Sequence, residues 1–112
     1  MLISSNYNRW YRANIVEDIK RNLDFPIVWA GGQIRLNSLS RNSIHEMLKY
    51  LNLSYPKDND GVPISFTQIN NKQLTEHIEE IRKLMAENGY TFYFDEVEWA
   101  RLCLQARGVM KW

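Results

Sequence analysis

Three side chains in this sequence carry the chemistry of a nucleophile, a base or a metal ligand: Cys103, His45 and His77. A Cys–His pair is a spatial arrangement, so separation along the chain does not exclude it. The surroundings point elsewhere. Cys103 lies in the apolar stretch WARLCLQA, where a buried, inert thiol is the ordinary outcome. His45 falls on the polar side of its expected helix. His77 falls at the edge of the stripe holding Leu74 and Ile81, the place of a hydrogen-bonded structural histidine. No His-x-x-x-His or Cys-x-x-Cys pair is present, so no zinc site is expected. The carboxylate pairs Glu96/Glu98 and Glu76/Glu80 read as a helix cap and a solvated face. The expectation is no catalytic residue, no metal and no cofactor.

The stretch PKDNDGVPISFTQ, residues 56–68, superficially resembles a calcium loop. Such a loop places oxygen ligands at its first, third and fifth positions, glycine at the sixth and a bidentate glutamate at the last. With Gly61 at the sixth position, Asp60 and Asp58 fall correctly, but Pro56 stands first and Thr67 last. The ligand that donates two oxygens is missing. Asp58, Asn59, Asp60 and Gly61 instead have the chemistry of a surface turn.

Binding chemistry is better represented. On a regular helical wheel Trp10 falls beside Asn14, Glu17 and Arg21, opposite Ile19 and Leu23. A tryptophan on a polar face next to Arg9 and Arg21 has the composition of a binding hot spot. The C-terminal segment is the second candidate. Trp99 lies in a helix whose polar strip is narrow, and Val109, Met110 and Trp112 form an apolar tail beyond it. A helix apolar over most of its circumference is hard to house in a small domain and favours an interface. The first expectation is therefore a non-enzymatic regulatory protein, an inhibitor or adaptor, that binds another protein through an aromatic and apolar surface, or pairs as a homodimer. The alternative is a nucleic-acid-binding module, with Arg9, Arg12, Lys20, Arg21, Arg35 and Arg41 on phosphates and aromatic rings on bases.

The elements that position these residues follow from periodicity and punctuation. A first helix spans 6–24, capped by Ser5 or Asn6 and ended by Pro26. A hairpin spans 27–36, turning at Gly31-Gly32. Ser43 and Glu46 form a capping box for a short helix with Ile44, Met47, Leu48 and Leu51 inward. A loop over 54–63 leads to a short edge strand at 62–66. The clearest helix opens at Asn70 or Asn71 and stops at Gly89. The aromatic run YTFYF reads as a strand over 90–94. Asp95 then caps a last helix, with Glu98 at the reciprocal position. The fold class is α+β: a small, mostly antiparallel sheet packed by about four helices in one domain covering 1–112.

Composition sets the outer limits. The chain has 112 residues, 45% of them hydrophobic, and a formal net charge of +1. That balance excludes disorder and disfavours a strongly nucleic-acid-seeking surface. A lone cysteine fits a reducing compartment. No apolar run reaches the roughly 18 residues of a membrane span, and the first residues do not read as a signal peptide. The expected location is cytoplasmic, without membrane contact. Frequent asparagine fits a phage or mobile-element origin.

Overall fold

The computed structural model describes residues 3–109 and Lys111. The class is α+β. A continuous first helix is made of α1 (Ser5–Tyr11), a π-helical stretch (Arg12–Val16) and α2 (Glu17–Asn22). A hairpin of β1 (Ile27–Trp29) and β2 (Gly32–Ile34) follows, then α3 (Arg41–Leu51), α4 (Asn71–Glu87) and α5 (Glu96–Ala106). Short 3-10 turns at Leu36–Ser38 and Phe66–Gln68 join them.

Local chemistry accounts for most of the boundaries. Ser4 caps α1 by accepting from the Tyr7 N–H, one residue before the expected cap. Asn70 and Gln73 form a reciprocal capping box that opens α4. Asp95 accepts from the N–H groups of Val97 and Glu98 and opens α5. The capping box expected at Ser43 does not form: Ser40 is the cap, and its side chain accepts from the Ser43 N–H. Glu46 instead pairs with Lys49.

The hairpin is antiparallel with Trp29 opposite Gly32, so the turn is Ala30-Gly31, one residue earlier than expected. Gly31 is needed for close approach: a Cβ there would lie 2.6 Å from Nε1 of the Trp29 indole. The strands expected at 62–66 and 90–94 are absent from the sheet, which has two strands among the described residues. Residues 57 and 63 make one isolated bridge, and Ser65 caps the 3-10 turn that follows. The 90–94 run does alternate, with Tyr90, Phe92 and Phe94 buried and Thr91 and Tyr93 exposed. Alternation describes faces, not pairing: the Tyr93 N–H goes to the Asp18 carboxylate, not to a neighbouring strand.

The core is one cluster to which every helix contributes, including Ile15, Ile19, Leu36, Ile44, Leu48, Leu74, Ile78 and Met85. The side chains joining the first helix to α5 are aromatic. Trp10 stacks on Trp99 with ring centroids 5.5 Å apart and meets Phe94 edge-on at 5.1 Å. Trp10 is thus buried, not displayed. The π stretch is the physical reason. The Glu17 N–H reaches back five residues to the Arg12 carbonyl, which slips the wheel by about one residue, or about 100°. Tyr7, Trp10 and Tyr11 thereby share a face with Ile19 and Leu23.

Candidate protein-docking surface

The two histidines lie in a closed aromatic layer between α3, α4 and the 52–69 segment. Tyr11 Oη lies 2.9 Å from His45 Nδ1, and the Phe66 ring stands edge-on to His45 at 4.4 Å. Asn52 lies 2.8 Å from His77 Nδ1. Its Oδ1 accepts from the Ser54 N–H, so its amide nitrogen must donate to His77. The His77 proton therefore sits on Nε2, which is buried with no partner among the described residues. His45 is buried as well, contrary to its expected polar position, because Phe66 folds over that side of α3.

Burial pushes both imidazoles down to about 3, helped by Arg12 and Lys49 at His45 and by His45 and Lys49 at His77. Burial also raises the Tyr11 and Tyr55 hydroxyls. Groups held neutral and packed ring against ring serve the fold. Cys103 lies apart from them. Burial raises its thiol, and the charges acting on it are Glu79, Arg107, Arg82 and Glu96, with no histidine among them. That is the reverse of an activated thiolate.

In the 56–62 loop the Asp58 carboxylate accepts from the N–H groups of Asp60 and Val62. Gly61 takes φ +79°. The acid thus caps its own turn. Among the described residues no group of three or more His, Cys, Asp or Glu side chains is placed to hold a metal ion.

The six cations of the nucleic-acid alternative are engaged within the molecule. Arg21 and Arg41 both grip Glu17, and their hydrogen bonds pull that carboxyl down to about 2. Lys20 donates to the carbonyls of Asn37 and Leu39. Arg35 donates to the Asp24 carbonyl, Arg9 to Asn6, and Arg12 lies over the Tyr11 ring.

Of the expected partner-binding residues, the structure brings Trp10 and Trp99 together, but inside the core. Arg9 and Arg21 remain at the surface. Val109 is 69% exposed. Met110 and Trp112 lie outside the described residues. Exposed large apolar side chains occur at Val28, Tyr50, Leu53 and Val62, and as a stripe along one helix face on α5. With Val97 set at zero on the wheel, Ala100, Arg101 and Leu104 fall within about 60°, and Trp99, Leu102 and Ala106 fall on the far side. The far side is turned to the core, and the near side faces out. Val97 is 80% exposed and Leu104 37%, with Ala100 exposed between them.

The segments flanking α5 also expose apolar side chains. At its N-terminal end Tyr93 is 84% exposed. At the other end Gly108 takes φ +79°, and the Val109 N–H returns to the Leu104 carbonyl at 2.9 Å. That bond belongs to a helix-ending motif in which the residue after glycine is folded back toward the last turn. The sequence had marked the α5 segment through Trp99, yet Trp99 is its anchor. The exposed signal lay in Val97 and Leu104, whose spacing became readable once Trp99 had fixed the wheel. Among the described residues no helix is long and apolar enough to cross a membrane.

No family model, no curated protein and no solved structure matches this chain.

Proposed function

We propose that the protein is a non-enzymatic interaction module, an inhibitor or adaptor, that docks on a protein surface through the outward face of α5. The observation that carries this reading is the stripe of Val97, Ala100 and Leu104, opposite the face that packs on the core, with Tyr93 and Val109 exposed in the segments just before and after the helix. Contiguous exposed apolar side chains of this kind are costly to leave in water and mark contact surfaces. The mechanism is steric: the face occupies a partner, and Tyr93 supplies the aromatic anchor that such contacts favour. The nucleic-acid alternative draws less support, because all six cations it would use already have intramolecular partners.

The test is photo-crosslinking in cells that produce the full chain. A benzophenone side chain at position 97 is expected to give protein adducts, and the same probe at exposed Lys72 is expected to give none. Adducts to nucleic acid, or equal yields from both positions, would reject the reading.

A further inference from the structure

The charges flanking the α5 stripe name an occupant. On one flank Glu98 precedes Arg101; on the other Glu96 precedes Arg107. Each flank is therefore acidic toward the N-terminus and basic toward the C-terminus. Among the described residues Arg101 and Arg107 form no ion pair, whereas Glu96 holds Arg82 through Oε1. The helix dipole runs with the opposite sign, partially positive at the N-terminal end and partially negative at the C-terminal end, and by itself it also favours an antiparallel neighbour. Ala100, the smallest side chain of the stripe, lies at its middle.

From this arrangement we infer that α5 pairs with α5 of a second copy of the chain, antiparallel, about a two-fold axis level with Ala100. This rests on the reading of α5 as a protein-docking face and specifies the protein. The geometry is self-complementary, as a two-fold interface must be. Val97 lies beside the partner's Leu104, and Leu104 beside the partner's Val97. Glu98 comes within reach of the partner's Arg101, and Glu96 within reach of the partner's Arg107, each pair occurring twice. Tyr93 covers the region of the partner's Val109. Alanine at the crossing lets the helix axes approach to about 8 Å, the close end of helix packing. A parallel pair would bring the Glu98 flank against the partner's Glu96 flank, acid beside acid, and align the two dipoles, so the pattern selects one orientation as well as one partner.

The experiment is sedimentation equilibrium of the full chain over a concentration series, with Glu98→Arg, Arg101→Glu and their equimolar mixture. The wild-type chain is expected to reach twice its 13.3 kDa mass. Each single variant sets like charges against each other twice and should raise the dissociation constant by about a hundredfold. The mixture restores both opposite-charge pairs and should dimerise again. Circular dichroism establishes that each variant is folded, and Leu104→Asp serves as an apolar counterpart if one is not. A wild-type chain that stays monomeric overturns the inference. So does a dimer indifferent to the single changes, or a mixture that fails to recover. A monomer that still crosslinks a different protein through position 97 would keep the docking face and reject the second copy, so the two failures are distinguishable.

Discussion

Helices α4 and α5 end in the same way and lead to opposite outcomes. In each, a glycine follows the last turn at φ near +80°: Gly89 at +81° and Gly108 at +79°. In each, the glycine N–H and the next N–H return to carbonyls of the final turn, to Ala86 and Met85 in α4 and to Gln105 and Leu104 in α5. The motif sets an apolar pair together across the cap. For α4 the pair is Met85 and Tyr90, 0% and 7% exposed, and the Tyr90 hydroxyl donates to the Asp18 carboxylate. For α5 the pair is Leu104 and Val109, 37% and 69% exposed. The difference teaches that a glycine fixes how a helix stops, while the rest of the chain decides whether the pair it gathers is core or surface. One end closes the molecule, and the other leaves its apolar pair partly in water.

The sharpest way to break this contrast is to remove the inner member of each pair. Met85→Ala should cost about 2–5 kcal/mol, the range for deleting a fully buried side chain of this size and leaving a cavity. Leu104→Ala should cost less, about 1–2 kcal/mol, because 37% of the residue is already in water. Urea unfolding at a concentration low enough to suppress association measures both. Equal losses would mean that the α5 end is as closed as the α4 end.

A second test uses acid, which reaches the closed side alone. His45 and His77 are held neutral with pKa values pushed down to about 3, mainly by burial. In the unfolded chain they titrate near the ordinary 6.5. The folded form therefore has its full stability above about pH 6.5 and loses it as the pH falls, because the unfolded state takes up the protons first. By about pH 5 each histidine should have cost roughly 2 kcal/mol. Glu17, pulled down to about 2 by Arg41 and Arg21, adds its loss only as the pH falls from the ordinary 4.5 toward 2. Urea midpoints compared between about pH 7.5 and pH 5 check this. A flat profile would mean that the imidazoles reach water and that the aromatic layer is open.

The same contrast separates what was legible in the sequence from what was not. Asn70, Asp95 and Gly89 act within a few residues of their own positions, and they mark the starts and stop of α4 and α5 as read from the sequence. Trp10 depended on a wheel that turns by about 100° per residue, and the π stretch breaks that count in the middle of the helix. His45 was placed on a polar side that a distant residue, Phe66, covers. The 90–94 run has the period of a strand and the faces of one, yet its ladder partner is a carboxylate on α2. For the candidate surface, the sequence pointed to α5 through a residue that is buried. Which face of α5 stays wet depends on Trp99 meeting Trp10, a contact between the two ends of the chain.

The smallest expected effect is the most diagnostic, because it starts from identical local geometry. A Cβ at Gly89 or at Gly108 would meet nothing within 4 Å, so alanine at either site pays only for a left-handed backbone, about 1–2 kcal/mol. At Gly89 the chain cannot escape the strain, since the next residue, Tyr90, is buried against Phe92 and Phe25 and bonded to Asp18. Gly89→Ala should therefore lower stability by the full amount. At Gly108 the next side chain is largely in solvent, and the last turn can open locally to relieve the strain. Gly108→Ala should cost the monomer no more than about 0.5 kcal/mol. The variant should nonetheless weaken self-association, because releasing the cap carries Val109 away from Leu104 and shortens the apolar stripe. A Gly108→Ala chain with a large stability loss would show the α5 end to be packed in the monomer. A small loss with unchanged association would remove Val109 from the contact and confine it to Tyr93, Val97, Ala100 and Leu104.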